Sequence, residues 1–393
     1  MDKLQISPEN RGLWGVINFA FVVNGIMVIM LGVILPQIRD AHALSYTQAG
    51  IVFSAHQAGT FFAVLAMGVL PYLIGRKQST LFMCGGAVIG LIIAVLSQNM
   101  YLLVLAFALT GICRGALNNI CNVITADISG NRAAAMNVIH SGWAVGALIS
   151  PLIAFVWISW AGANGWRFSS ITVAALIAIS CVLFFVAKLP PQPPKKKRGE
   201  SLSFLHTANF WIPTMLLLFY VAAETSIIGW FVFYFIDVDT LPADFAGFVP
   251  TIHWTMMAIG RISVALIAGR IRNKSRALLF MALAATLCFA GMLVGASVSA
   301  IVTVVFLLGI GLSMAGIYPT TIATMEGATS PVSLGFTVAI SGLGGVFMPG
   351  IIGAVADAHG IATGISLILA ALFIIVLLVV LKIIKDRRAN ASQ

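Results

Sequence analysis

Four ionisable side chains lie deep within long apolar segments of this chain: His56, Arg114, Glu224 and His253. Inserting such a group into a bilayer costs about 3 kcal/mol, so each one needs a partner or a water-filled cavity. A carboxyl group in such a place can take up and release a proton, or accept hydrogen bonds from hydroxyl groups. We therefore predict a proton-carrying role for Glu224, with a structural ion pair as the alternative.

A polar stripe follows Arg114 along the same segment. Arg114, Asn118 and Asn122 are four residues apart, so they share one face of a helix, and Asn119 lies beside them. A guanidinium and several amides offer forked donors that suit hydroxyl groups or a carboxylate. Two interpretations remain open: the stripe anchors a polar solute, or Arg114 locks two helices together, for instance by pairing with Glu224.

Other polar groups stand next to aromatic rings. Asn137, His140 and Trp143 are spaced by three and share a helix face, and histidine begins the pairs at 56–57 and 253–254. A ring beside amides suits a sugar, whose C–H faces pack on the ring while its hydroxyls bind the amides. A histidine that only packs is the alternative at each position. The predicted solute-binding residues are Asn24, His56, Arg114, Asn118, Asn119, Asn122, Asn137, His140, Trp143, Trp230, His253, Trp254, Tyr318 and Ser341.

The composition determines which elements must hold these side chains. The sequence is 60% hydrophobic and 9% charged, whereas a soluble domain carries about a quarter charged residues. Breaks at Pro, Gly and Lys leave apolar segments near the ~20 residues that cross a bilayer. We predict twelve membrane spans, at 13–35, 47–74, 80–97, 101–126, 136–158, 167–187, 209–236, 245–269, 277–296, 300–325, 332–356 and 361–384.

The distribution of Lys and Arg predicts the orientation. With the N-terminus in the cytoplasm, 18 of the 22 basic residues fall in cytoplasmic loops, and the others are Arg39, Arg114, Arg167 and Arg261. By the positive-inside rule, both termini are cytoplasmic. The net charge of +10 thus reflects topology, and a nucleic-acid-binding patch is disfavoured because the charges are spread over separate short loops.

The chain also repeats itself with an offset near 200 residues. Gly111 corresponds to Gly311, Ser141-Gly142 recurs at 341–342, and Asn24 corresponds to Glu224. A same-sense repeat in an apolar chain is typical of a transporter built from two parallel halves. The proline-rich basic stretch 188–206 separates six spans from six, which predicts an N-terminal six-helix bundle (1–187), a cytoplasmic linker (188–208) and a C-terminal six-helix bundle (209–393).

The sequence contains few signals for catalysis. Its five cysteines all fall within spans and lack metal-ligand spacing, and there is no P-loop or dinucleotide glycine motif. We therefore predict neither an enzyme nor a metal or other cofactor. Without a nucleotide-binding domain, transport must draw its energy from a solute gradient.

One segment resembles the signature GxLaDrxGrk of the major facilitator superfamily, which lies between helices 2 and 3. In the stretch 68–77, Gly68, Leu70, Gly75, Arg76 and Lys77 match it. A second copy at 265–274 keeps two of the basic residues, and both copies lack the aspartate. The resemblance implies a fold of two six-helix bundles with a cytoplasmic latch.

The missing aspartate changes the expected latch contacts. We predict that Asp127 and Glu326 pair with the loop cations instead, and that Arg261 pairs with cytoplasmic acids. The predicted latch residues are Gly68, Gly75, Arg76, Lys77, Asp127, Arg261, Arg270 and Glu326.

Three further segments resemble the fucose:proton symporter family and its glucose-type relatives. They are 220–230, with Glu224; 137–151, with His140; and 315–320, with Tyr318. The acids that fucose permeases carry in helices 1 and 4 are absent here. The resemblance implies monosaccharide uptake by proton symport.

Together these observations predict an all-α membrane protein with twelve transmembrane helices and the major facilitator fold. We expect a monomeric secondary transporter in the bacterial cytoplasmic membrane that imports a monosaccharide or similar small polar solute with a proton. The alternative is an exchanger or exporter of small organic anions or drugs, which Arg114 and the missing acids favour.

Overall fold

The computed structural model describes residues 4–192, 202–238, 241–267, 271, 273–325 and 331–391. The chain divides into two compact units, unit 1 (Met1–Lys197) and unit 2 (Arg198–Gln393). The helices of unit 1 are α1 (Arg11–Ala41), α2 (Tyr46–Met67), α3 (Leu70–Ile74), α4 (Arg76–Leu96), α5 (Met100–Ile128), α6 (Arg132–Ala161) and α7 (Gly165–Val186). Those of unit 2 are α8 (Ala208–Asp237), α9 (Ala243–Ala246), α10 (Val249–Ile267), α11 (Lys274–Gly295), α12 (Ala300–Met314), α13 (Ile317–Ala323), α14 (Pro331–His359) and α15 (Ile361–Ala391).

The helices confirm the prediction of twelve spans. Among the described residues, ten stretches are long and apolar enough to cross a membrane, and the longest, Ala134–Val186, contains both α6 and α7. The 3₁₀ turn Gly162–Asn164 separates these two helices. The ten stretches thus contain eleven spanning helices. The twelfth span is α10, whose end adjoins residues outside the described ones.

Short polar residues determine where several helices begin. The side chains of Ser45, Asn99, Asn131, Asn273 and Ser299 each accept a hydrogen bond from a backbone N–H in the first turn of the next helix. Such caps satisfy donors that have no partner within the helix. The polar residues between apolar runs therefore start α2, α5, α6, α11 and α12.

Three spans that we predicted as continuous helices, at 47–74, 245–269 and 300–325, are each broken. A glycine stands at every break: Gly68 after α2, Gly247 after α9 and Gly316 before α13. Glycine lowers helix propensity by about 1 kcal/mol relative to alanine, and Pro71 favours a new start in the first turn of α3.

The two units use the same pattern of helix packing. In unit 1, α1 packs against α6 and α7, while α5 packs against α2 and α4, and α4 also packs against α7. In unit 2, α8 packs against α14 and α15, while α12 packs against α10 and α11, and α11 also packs against α15. Counted as spans, the second set equals the first shifted by six, in agreement with the internal repeat.

Glycines allow the closest of these crossings. A Cβ atom added at Gly111 of α5 would clash with the carbonyl oxygen of His56 in α2, and one added at Gly311 of α12 would lie 2.7 Å from that of His253 in α10. The glycines of the repeated motif thus make equivalent contacts in the two units. Small residues at membrane helix interfaces allow backbones to approach in this way.

Candidate functional site

The only acid that we predicted near mid-membrane, Glu224, lies on α8 with two donors beside one of its oxygens. The Tyr220 hydroxyl donates a hydrogen bond of 2.9 Å to Glu224 Oε1, and Arg261 Nη2 lies 3.7 Å from the same oxygen. Tyr220 is fully buried, whereas 49% of the Arg261 side chain and 17% of the Glu224 side chain are exposed. These two partners of the carboxylate differ, because Tyr220 is buried and neutral whereas Arg261 is accessible and charged.

Aromatic rings border this pair. The guanidinium carbon of Arg261 lies 5.8 Å from the centroid of the Trp254 ring, within cation–π range. The rings of Tyr220 and Tyr318 are 5.9 Å apart, and the Tyr318 hydroxyl lies within interaction range of Glu224 and Ser341. We call Tyr220, Glu224, Trp254, Arg261 and Tyr318 the acid–arginine cluster; they come from α8, α10 and α13.

The structure corrects the predicted partner of Arg261. We expected Arg261 to pair with cytoplasmic acids in the latch, and the structure shows it beside Glu224, within the span; the latch acid Glu326 lies outside the described residues. The physical reason is helix geometry: Arg261 follows Trp254 by seven residues, two turns of α10, so both occupy the same face. Sequence reasoning also missed Tyr220 as a partner of Glu224, although the spacing of four along α8 was a usable signal.

His253 lies next to this cluster and is fully buried. Neither of its ring nitrogens has a hydrogen-bond partner within the described part of the chain. Its ring packs against Phe231, at 6.4 Å, and Trp254, at 6.2 Å. Trp230 is also fully buried, against Phe233, so this predicted solute contact sits in the packed interior.

In unit 1, α2 and α5 are joined by polar contacts, two of which are between side chains. Arg114 Nη1 donates a hydrogen bond to the side-chain oxygen of Gln57. His56 Nδ1 lies 2.9 Å from the Thr110 hydroxyl, and both residues are buried. Gln57 and Thr110 were not among the predicted site residues, yet they orient the two that were.

The amide stripe occupies the next turns of α5. Asn118 is exposed, while Asn119 and Asn122 are partly exposed. Asn122 Nδ2 donates a hydrogen bond of 2.7 Å to the Asn118 carbonyl oxygen, which leaves the Asn118 side chain at the surface of the helix. The stripe thus presents amide groups one turn beyond Arg114.

The predicted face of α6 lies against α1. Asn137 and His140 are exposed and Trp143 is half-buried, and the His140 ring makes an edge-on contact with Phe21 at 5.2 Å. Asn24 of α1 is almost fully buried, and its side-chain oxygen has no hydrogen-bond partner among the residues that the structure describes. In unit 2, the buried Ser341 hydroxyl donates to the Val338 carbonyl oxygen at 2.9 Å.

The latch motif is a short helix and a turn rather than a loop. Gly75 adopts a φ of 85°, a conformation suited to glycine, between α3 and α4. Arg76, the first residue of α4, is buried; its Nη1 lies 2.7 Å from Asp127 Oδ2, and its Nε donates a 2.6 Å hydrogen bond to Gln192 of the linker. Lys77 Nζ donates to the Phe185 carbonyl oxygen at 2.7 Å, which joins α4 to the end of α7. The predicted latch residues Arg270 and Glu326 lie outside the described residues.

Comparison with known proteins identifies the family. The sequence model of the Major Facilitator Superfamily matches residues 17–333. This chain belongs to the Major Facilitator Superfamily. It is therefore a multi-span membrane transporter and not an enzyme.

Several relatives resemble this transporter over different lengths. The glucose/galactose transporter of Brucella abortus is 22% identical over 375 residues, 88% of each chain. The gallate transporter of Pseudomonas putida is 25% identical over 151 residues, 37% of this chain and 34% of the relative.

Solved structures share the fold. The nucleoside transporter NupG has a TM-score of 0.75 at 14% identity, with 95% of this chain and 98% of that one covered. A D-xylose-proton symporter has a TM-score of 0.72 at 14% identity, with 92% and 96% covered.

Proposed function

We propose that this transporter imports a monosaccharide or similar polyol together with a proton. The observation that carries the proposal is the acid–arginine cluster, which combines an ionisable carboxyl group with aromatic surfaces inside one unit of a membrane transporter. The similarity to a glucose/galactose transporter over most of both chains supports the same solute class.

Each unit offers its own group of solute contacts. In unit 2, Trp254 and Tyr318 supply rings for the C–H faces of a sugar, and the Glu224–Arg261 pair supplies acceptors and donors for hydroxyls. In unit 1, the exposed Asn118, Asn137 and His140, with Arg114 held by Gln57, supply amide, imidazole and guanidinium donors.

Proton coupling follows from competition for the Glu224 carboxylate. The carboxylate keeps its charge while the Arg261 guanidinium is beside it, and it takes up a proton when the guanidinium moves away. The 3.7 Å separation and the half-exposed Arg261 side chain suit a partner that can be exchanged. Arg261 thus joins Arg114 as a cation that we expect to regulate Glu224.

The decisive experiment uses Glu224→Gln, which mimics the protonated carboxyl group. In proteoliposomes with an inward proton gradient, this variant should bind and exchange D-glucose or D-galactose but should not accumulate them. Asp237→Asn, at the C-terminal end of α8, is the matched control and should accumulate sugar normally. Normal accumulation and pH dependence in Glu224→Gln would show that Glu224 is not the coupling site.

The second candidate function is exchange or export of small organic anions or drugs. The cationic Arg114 on α5 and the similarity to a gallate transporter favour it. Quenching of tryptophan fluorescence by ligand separates the two candidates: quenching by gallate but by neither neutral sugar would favour the anion transporter.

The proposal also includes the orientation in the bacterial cytoplasmic membrane and a monomeric state. Both termini and the linker face the cytoplasm, as the positive-inside rule predicts. A cysteine placed at Ser203 in the linker should resist a membrane-impermeant maleimide in intact cells and react after lysis. Labelling in intact cells would reverse the orientation.

A further inference from the structure

Two donors approach the same oxygen of Glu224, but they differ in distance and accessibility. The Tyr220 hydroxyl is at 2.9 Å, a normal hydrogen bond, whereas Arg261 Nη2 is at 3.7 Å, a longer ion pair. Tyr220 is fully buried, and about half of the Arg261 side chain is exposed. The tyrosine is therefore the tighter and better shielded partner.

The two partners also differ in how they depend on helix movement. Tyr220 and Glu224 are four residues apart on α8, so their hydrogen bond survives any rigid displacement of α8 relative to its neighbours. The contact with Arg261 joins α8 to α10 and is lost when those helices separate. Tyr220 is thus the partner that stays with the carboxylate when the guanidinium leaves.

Other groups around this carboxylate belong to neighbouring helices of unit 2. Arg261 belongs to α10, with His253 beyond it, and Tyr318 belongs to α13, with the neutral Ser341 of α14 beyond it. The titratable residues within the described parts of α14 and α15 lie near the C-terminal ends of those helices. Tyr220 thus donates to Glu224 from its own helix, and Arg261 faces Glu224 from α10.

We infer that Tyr220 is a positioning residue for proton coupling: it orients the Glu224 carboxylate after Arg261 withdraws and sets the pH at which a proton binds. The inference rests on the proposed role of Glu224. A phenol is a permanent donor at physiological pH, and a donor stabilises the ionised carboxylate over its protonated form. Without this hydroxyl, Glu224 should hold its proton to higher pH.

The test is Tyr220→Phe, which keeps the ring that packs on Tyr318 and removes only the hydroxyl. In proteoliposomes, D-galactose exchange should persist, and the pH of half-maximal accumulation should rise by about one unit, the size expected for a hydrogen bond to a charged group. Tyr234→Phe removes another buried phenol fourteen residues further along α8 and should leave the profile unchanged.

A second substitution should shift the pH of half-maximal accumulation in the opposite direction, and it can be measured even if Tyr220→Phe fails to fold. Site-specific 3-fluorotyrosine at position 220 is a stronger donor whose phenol stays protonated at neutral pH, and it should lower the pH of half-maximal accumulation. An unchanged profile in the folded Phe variant, or in the fluorotyrosine protein, would overturn the role of Tyr220. Glu224→Gln is measured alongside. If Glu224→Gln loses accumulation while Tyr220→Phe keeps the wild-type pH profile, the role of Tyr220 is rejected and the coupling proposal stands. If Glu224→Gln accumulates sugar normally, the coupling proposal itself is rejected.

Discussion

Units 1 and 2 share a packing plan but carry different polar groups. Where unit 2 has Glu224 and Tyr220, the positions 200 residues earlier are Asn24 and Ala20. The packing of helices in spans 1 to 6 recurs in spans 7 to 12, yet the acid, its tyrosine and its arginine belong to unit 2 alone. The two units therefore share a helical scaffold but differ in the polar side chains that it carries.

The histidines of the repeat show the same division. His56 of unit 1 contacts Thr110, but the position equivalent to Thr110 in unit 2 is Ile310, which offers no hydroxyl. His253 accordingly has no hydrogen-bond partner among the described residues. Unit 1 therefore uses its polar groups to join α2 and α5, whereas unit 2 keeps hydrogen-bonding capacity unused at the matching place.

The largest expected effect comes from moving the acid between the units. The double variant Asn24→Glu with Glu224→Asn should lose gradient-driven sugar accumulation completely, because Glu224→Asn removes the carboxyl group that we propose carries the proton, and unit 1 has neither a tyrosine nor an arginine at the positions that correspond to Tyr220 and Arg261. Accumulation in proteoliposomes is the measurement, with each single variant beside it. Recovery of accumulation in the double variant would mean that the two positions are interchangeable.

The second prediction contrasts the arginines of the two units. Arg76→Ala should lower the free energy of unfolding by about 2 kcal/mol, because it removes the hydrogen bonds of a buried guanidinium to Asp127 and Gln192. Arg261→Ala should change it by less than about 1 kcal/mol, because a half-exposed pair contributes little.

Thermal unfolding in detergent measures both arginine variants, and the pH profile of sugar accumulation should change for Arg261→Ala. Equal losses of stability would remove the distinction between a structural and an exchangeable arginine.

The third prediction concerns the amides of unit 1. Asn118→Ala should weaken sugar binding about tenfold, the effect of losing one or two hydrogen bonds, without loss of folded protein. Asn164→Ala removes an exposed amide that makes no capping hydrogen bond from the same unit, outside the stripe, and serves as the control for binding. Equal affinities in Asn118→Ala and the wild type, measured by fluorescence quenching, would show that unit 1 does not contact the solute through this residue.

The smallest expected effect is on stability, and it distinguishes His56 from His253. Thr110→Val should destabilise the protein by about 1 kcal/mol, because His56 loses its partner in a buried place. His253→Leu should be neutral or slightly stabilising, because it removes a buried polar group that lacks a partner among the described residues. A comparable loss of stability in both variants would contradict the division described above.

The sequence predicted the architecture well because the bilayer restricts it strongly. Apolar length gave the twelve spans, and polar residues such as Ser45 and Asn99 marked helix starts that hydrogen bonds then satisfy. The breaks at Gly68 and Gly316 were missed because a single glycine within an apolar run is also compatible with a continuous helix.

The contacts of the candidate site were harder to predict than its members. Glu224 was recognisable because an acid within an apolar span is rare, but its partner Arg261 lies 37 residues away on a helix whose rotation the sequence does not specify. The pairing of Glu224 with Arg114, which the sequence suggested because both groups are ionisable and placed at mid-span, stays a prediction. Tyr220 escaped because a tyrosine within a span is unremarkable until its hydroxyl is seen on Glu224.

The contacts of Gly111 with His56 and of Gly311 with His253 have a mechanical consequence. At these two crossings backbone meets backbone, so no side chain there can relieve a displacement by changing its rotamer. We therefore expect α2 and α5 to move together as a stiff pair, and α10 and α12 likewise. In unit 1 such a pair keeps His56 and Arg114 at a fixed spacing, whereas in unit 2 Arg261 moves with α12 and its distance from Glu224 on α8 can change.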